Sequence, residues 1–289
     1  MNRLSALCVG LFTFVFLIGG NCSRTRVESI NLMNEGVQLA AQKRYMDAAD
    51  KLQRATSIDP ENDQAFWNLA IVHMEMHKLE LARDDLQRAI AVNPSSAGYH
   101  EKLGTVLMEL SDWEGAQRSF ARAIELDPQL FKAHFKLAQV HERLDNPQEA
   151  LREYTAAIQA GPRFIEAYRS LGRLYADLGY LDLAVTVLQS GLQVVIQGTE
   201  DEAHLHHLLG TVYQQQRDYD AAVREFRAAL GLLPSLRDAL FALGWTYALQ
   251  DNREEARRYL KRYVDTAGAD APRHYLKAAQ DRLSTLGGP

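Results

Sequence analysis

The amino-acid sequence predicts an all-α fold, a solenoid of seven helical hairpins followed by one further helix. Three observations carry this expectation. Pro60, Pro94, Pro128 and Pro162 stand 34 residues apart, with Pro234 following after one longer interval. Small residues keep the same register: Gly36, Ala70, Gly104, Ala138, Gly172, Gly210 and Gly244 form one series, and Ala48, Ala82, Ala116, Ala150, Ala184, Ala222 and Ala256 a second, 12 positions later. A third, Ala55, Ala89, Ala123, Ala157, Gly191 and Ala229, comes 7 positions further on, with Leu52, Leu86, Phe120, Tyr154, Leu188, Phe226 and Leu260 between the two. Residues four and seven apart share a helix face, so each period reads as two helices that touch through small residues around one large side chain.

The first element is residues 1–21. Met1-Asn2-Arg3 carries one positive charge, and Leu4 to Gly20 is an uncharged run rich in Leu, Phe, Val and Ile. That is the layout of a secretory signal. As a helix the run spans about 25 Å, slightly short of a ~30 Å hydrocarbon core. Cys22 follows it directly and resembles the acceptor of a bacterial lipoprotein signal, in which that cysteine is acylated and becomes the new N-terminus. Ile18 stands one place earlier than the pattern has its apolar residue, and Asn21 takes the place of a small one. Two or more acyl chains, at about 0.8 kcal/mol per buried CH₂, hold a protein on a membrane where one does not. A retained N-terminal helix and ordinary cleavage with release are the other two readings. Residues 22–28 form a short polar tether.

The repeats then run over 29–270, in windows 29–62, 63–96, 97–130, 131–164, 165–202, 203–236 and 237–270. Asn146-Pro147 supplies an N-cap and a proline at the first helical position, where its missing N–H costs nothing. Between the fifth and sixth windows the terminal proline is absent and four residues are added in "IQGTEDEAH", which predicts a longer turn or a slight hinge. Thr199 and Glu202 there have the spacing of a capping box. Residues 271–289 supply a polar cover for the last repeat: Tyr275, Leu276, Ala279 and Leu283 fall at helical spacing among Arg273, Lys277, Gln280, Asp281 and Arg282.

These spacings, with "YRSLGRLY" and "HLLGTVYQQQRDYDAAVREFRAALGLLP", resemble the tetratricopeptide repeat and its W-x₂-L-G-x₂-Y…A-x₃-F…P signature. The resemblance covers about Ser29 to Asp270. It implies a right-handed solenoid whose first helices line a concave surface that takes peptides or helices of partner proteins, with no cofactor.

Composition and motifs narrow the function further. A formal charge of −5 from 32 basic and 37 acidic residues gives nucleic acid no electrostatic help. The two cysteines, Cys8 and Cys22, both lie at the N-terminal edge, leaving the repeats without disulfides or thiolate metal sites. No phosphate-binding glycine loop or G-x-S-x-G elbow is present. In "HMEMH", His73 and His77 are four apart, a two-ligand geometry on a helix, but no third ligand is evident. His73 and His141 hold the slot of Tyr175, Tyr213 and Tyr247, while His100, His134 and His206 hold the aromatic slot opening the signature, so they read as packing substitutes. His204 and His207, three apart, are spaced to face the groove together, as a metal pair or, favoured, as a partly exposed polar patch, and Asp84-Asp85 and Glu254-Glu255 read as solvated faces. The expectation is a non-enzyme without a metal site.

Carried onto this sequence, the concave positions are Met33, Asn34, Val37, Trp67, Asn68, Ile71 and Met74 in the early repeats. Lys132, Phe135, Lys136 and Gln139 follow, then Arg169 and Arg173, and finally Phe241 and Trp245. Methionine and indole suit a hydrophobic groove, although Trp67 packing against its neighbouring repeat is an equal reading. Lys132/Lys136 and Arg169/Arg173 are spaced to present two cations each, for a carboxylate or phosphate or for neutralisation by Glu101, Glu142, Glu166 and Asp177. The lysine-asparagine pairing that chaperone-tail-binding relatives carry in their first repeat is absent.

The expected function is a non-enzymatic scaffold, lipid-anchored on the periplasmic side of a bacterial envelope, outer membrane favoured, binding partner proteins in its groove. Such a chain is similar to pilotin-type lipoproteins of type IV pilus secretins, and equally to lipoproteins that dock proteases or peptidoglycan enzymes. The alternative is a soluble regulatory binder of anionic ligands or phosphorylated peptides through the central cations.

Overall fold

A computed structural model describes the backbone of residues 9–267 and 272–286, with side chains from Arg24 onward. The expected signal segment and the acylation of Cys22 lie outside the described side chains. Among the described residues every regular element is an α-helix. In chain order they are α1 (Val9–Ala41), α2 (Tyr45–Ile58), α3 (Asp63–Glu75), α4 (Leu79–Val92), α5 (Ala97–Glu109), α6 (Trp113–Leu126) and α7 (Phe131–Arg143). There follow α8 (Pro147–Ala160), α9 (Ile165–Asp177), α10 (Leu181–Val194), α11 (Glu200–Gln215), α12 (Tyr219–Leu232), α13 (Arg237–Leu249), α14 (Arg253–Thr266) and α15 (Arg273–Leu286). The chain divides into two compact units, one ending at Asp145 and the other beginning at Asn146.

In the first unit α1 pairs with α2, α3 with α4 and α5 with α6, and each second helix packs onto the next first helix. The second unit repeats the scheme with α9/α10, α11/α12 and α13/α14, with α15 laid on α14. The three small-residue series explain the close approach. Leu52, Leu86, Phe120, Leu188, Phe226 and Leu260 are wholly buried, as are the alanines of the second and third series. A side chain added at Gly104 meets three ring atoms of Phe120 at 2.8–2.9 Å, and one at Gly210 meets the ring of Phe226 at 2.8 Å. Glycine stands there because the facing ring occupies the Cβ position.

The turns repeat as closely as the core. Lys43, His77, Ser111, Arg217 and Asp251 all end the first helix of a hairpin with φ between 55° and 66°, Gly179 does so at 81°, and Asp145 follows the end of α7 at 57°. Six L-residues therefore accept a left-handed conformation that costs about 1–2 kcal/mol where a helix stops. Second-helix or first-helix starts are then secured by Asn62, Asp112, Asp218 and Asn252, each accepting from the backbone N–H three residues on. Asn146 occupies the expected N-cap before Pro147, but its side chain makes no capping bond.

Two expectations change. The four inserted residues lengthen a helix more than a turn: α11 has 16 residues where α9 and α13 have 13. Thr199 accepts from the Glu202 N–H at 3.4 Å while the Glu202 carboxylate accepts from Gly198 N at 2.6 Å, so the capping chemistry starts α11 early. The tether, in turn, is helical, since α1 runs through residues 24–28 into the first repeat. Ser29 is fully buried there, its hydroxyl donating to Ala55 O at 2.9 Å and accepting from Asn62 Nδ2 at 2.9 Å.

Candidate partner-binding surface

The histidines come first, because they decide whether any site holds chemistry. His100 Nε2 donates to Pro94 O at 3.1 Å and His134 Nε2 to Pro128 O at 3.2 Å. Tyr168, in the same slot of the next repeat, donates its hydroxyl to Pro162 O at 3.1 Å. A ring with a polar tip six residues after the proline satisfies that carbonyl, which explains histidine replacing an aromatic residue. Before His206 the proline is missing, and its Nδ1 lies instead 2.6 Å from Glu225 Oε2.

His73 and His77 do not form a ligand pair. His77 sits beyond the end of α3 with φ 55°, turned out of the helical register, whereas His73 Nδ1 lies 2.7 Å from Asp85 Oδ2. Asp85 is therefore buried, 6% exposed, rather than part of a solvated acidic face. Among the described residues no three His, Cys, Asp or Glu side chains gather as metal ligands, and no helix is long and apolar enough to cross a membrane.

In the first unit the concave candidates lie along α1, α3 and α7. Met33, Trp67, Asn68, Ile71 and Met74 are half-buried, while Asn34 and Val37 are exposed. Trp67 does both things the sequence allows: its ring lies 6.3 Å from that of Tyr99 on α5, and part of it stays open to solvent. The Asn68 amide is turned back onto Gln64 O at 2.8 Å. On α7, Lys132 is exposed over the Phe131 ring at 6.0 Å, and Lys136 and Gln139 are half-buried. Phe135 corrects the expectation. At 9% exposure it belongs to the core, because the face it occupies is covered.

In the second unit both central arginines already meet carboxylates. Arg169 Nη1 is 3.5 Å from Asp201, a partner that the extension of α11 brings in, and Arg173 Nη1 is 3.2 Å from Asp177. Each pair is partly exposed and worth little individually.

Phe241 and Trp245, by contrast, open onto a cavity of about 640 Å³. They stand four apart on α13, their rings stacked with centroids 5.7 Å apart. Tyr263 of α14 meets the Phe241 ring edge-on at 5.3 Å, and Tyr275 of α15 approaches it at 4.8 Å. His207, Thr211 and Gln214 of α11 form another wall, and Asp238 and His274 complete the polar lining. Burial lowers the pKa of His207 against a smaller opposing effect of Asp238, so its imidazole is neutral at pH 7. Tyr275 was expected on the covered face of the last helix; it is 43% exposed and faces this cavity, while Ala279, Leu283 and Leu286 pack onto the core.

Sequence reasoning missed Tyr263 and most of these walls, although one signal was present. The third small-residue series stops at Ala229, and the seventh repeat has Tyr263 in that slot. In earlier repeats the slot abuts the next helix; a Cβ on Gly191 would meet Tyr168 Cβ at 3.0 Å and Leu205 Cδ2 at 3.2 Å. After the last hairpin there is room for a phenol ring, which is 2% exposed.

Comparison with known proteins agrees with this architecture. One model of the tetratricopeptide repeat matches residues 101–163, 135–193 and 207–272, and a second such model matches 39–104. No curated protein matches the chain significantly. Among solved structures, the C-terminal part of a TPR repeat-containing protein from Cytophaga hutchinsonii superposes with TM-score 0.71 at 14% identity, over 87% of this chain and 99% of its own. Pseudomonas aeruginosa pilF gives 0.60 at 19% identity, over 74% and 96%. YrrB, described as a TPR protein with an unusual peptide-binding site, gives 0.55 at 23% identity, over 68% and 97%.

Proposed function

Because the chain belongs to the tetratricopeptide repeat family, we propose that it is a non-catalytic scaffold that binds partner proteins along the first helices of its hairpins, held at a bacterial cell envelope by its N-terminus. One observation carries the binding reading. The first helices keep large side chains half-open, Trp67, Ile71 and Met74 in one unit and Phe241 and Trp245 in the other. Half-buried indole and thioether groups are the anchors expected of a surface that accepts an extended or helical segment. The similarity to YrrB supports a peptide as the occupant.

The envelope reading rests on the sequence of residues 1–22, an uncharged run ending at a cysteine. On that reading the scaffold faces the periplasm, where an assembly factor for an envelope complex, pilotin-like or docking peptidoglycan enzymes or proteases, would act. The fold shared with pilF is consistent with the first of these. Binding of anions or phosphorylated peptides by the central cations is less well supported, since Arg169 and Arg173 already have carboxylate neighbours.

The test has two arms. The intact mass of the mature N-terminus in membrane fractions should show acylated Cys22, absent from Cys22→Ser; an unmodified chain beginning elsewhere would end the lipoprotein reading. A photo-crosslinking residue at position 71 or 245 should trap a partner that one at the outward-facing position 118 does not. Equal trapping from all three would remove the concave surface from the function.

A further inference from the structure

The cavity of the second unit has a chemistry more specific than a general apolar groove. Three aromatic side chains, Trp245, Tyr263 and Tyr275, surround Phe241, and ring faces carry the negative lobe of the aromatic quadrupole. Asp238 stands one turn before Phe241 and Ala242 on α13, so it shares the face that bears Trp245. It lies in the first turn of that helix, where the macrodipole favours the ionised carboxylate. None of the described lining residues is a lysine or arginine, although the charges of Arg169 and Arg237 reach His207 and Tyr263 from outside the lining, and burial disfavours the charged form of His207. Among its described lining residues the cavity thus joins π faces, one carboxylate and no lysine or arginine.

We propose that this cavity receives the side chain of a lysine or arginine carried by the partner's segment, with Asp238 pairing the charge and the aromatic cluster lining its stem. The inference rests on the groove reading above and deepens it by giving the chemistry of one occupant. Charge complementarity selects that occupant: an acidic side chain would be repelled by Asp238, and a purely apolar one would leave that carboxylate and the ring faces without a cation. The half-exposed Tyr275 leaves this wall of the cavity accessible from solvent, since α15 covers the core with Ala279 and Leu283 instead. A cation over these rings and beside a carboxylate gains from both contacts at once.

The test uses the full chain in detergent micelles, labelled with 5-fluorotryptophan. Its three tryptophans give three resonances, assigned by Trp→Phe substitution. The probes are acetyl-Gly-Leu-X-Leu-Gly-amide peptides with X lysine, arginine, norleucine or glutamate. Lysine and arginine peptides should shift the Trp245 resonance saturably and bind at least tenfold more tightly than the norleucine peptide. Asp238→Asn, nearly isosteric and on an exposed side chain, should bring them down to the norleucine level, and Tyr275→Leu should weaken them as well. Norleucine binding as tightly as lysine, an undiminished Asp238→Asn, or choline competing as well as the lysine peptide would each overturn the inference. So would a silent Trp245 at millimolar peptide. If Trp67 shifts while Trp245 does not, the groove reading survives and the cation site does not; the crosslinking arm above judges the groove independently.

Discussion

His73 and Asp85 make a buried polar pair whose removal can be weighed in advance. The two side chains are 13% and 9% exposed and lie 2.7 Å apart, joining the end of α3 to the middle of α4. Replacing His73 by leucine keeps the volume but leaves a mostly buried carboxylate without its nearest partner. A hydrogen bond to an ionised group contributes about 1.5–3 kcal/mol, and an orphaned buried group loses its full desolvation cost, so His73→Leu should destabilise the hairpin by about 2–3 kcal/mol. Asp85→Leu should cost a similar amount. The double substitution removes both ends together and should cost less than the sum, leaving a coupling of about 1–2 kcal/mol. Urea unfolding followed by far-UV circular dichroism gives the totals. Hydrogen exchange of the α3 and α4 amides shows where they arise, since repeat arrays need not unfold in a single step. Additive single effects, within about 0.5 kcal/mol, would show that the pair is a solvated accident of packing and refute the reasoning.

Three further outcomes follow from the same geometry. Gly104→Ala should destabilise by about 1–2 kcal/mol despite alanine's better helix propensity, because the rigid, fully buried Phe120 ring fills the Cβ site; adding Phe120→Leu, the pairing found at Ala70 and Leu86, should recover most of it in thermal melts. At the hairpin turns the sign reverses with the residue: Gly179→Ala meets no atom within 4 Å and should cost about 1 kcal/mol from the backbone alone, while Arg217→Gly should leave stability level or raise it by a few tenths of that. His207, whose folded pKa lies below its ordinary 6.5, makes the unfolded chain the better proton acceptor; stability should fall as pH drops below about 6.5, by up to about 1.4 kcal/mol per unit, and a His207→Gln chain measured alongside should lack that increment.

Much of this protein is legible in one dimension. Helices, hairpin order and core were read from intervals, because a small residue must recur wherever two helices touch and the interval fixes which face it occupies. The wholly buried Leu52, Phe120 and Phe226 are the residues that the spacing named. Histidine in the aromatic slot is legible as a replacement for an aromatic residue, but the partners that hold it, proline carbonyls at His100 and His134 and Glu225 at His206, are not.

What only the tertiary structure decided lies where neighbours in space are distant in sequence or where the period breaks. Asp85 looked like half of a solvated acidic pair until His73 was found against it, and Phe135 looked concave until its face was seen to be covered. Arg169 meets Asp201 only because capping at Thr199 starts α11 early. The C-terminal cavity depends on Tyr263, Tyr275 and Asp238 arriving from three helices around Phe241, an arrangement set by how α15 lies on the last hairpin. Periodicity encodes the contacts that every repeat makes in common; a binding surface is made of the contacts that only one repeat makes, and these need the fold to bring them together.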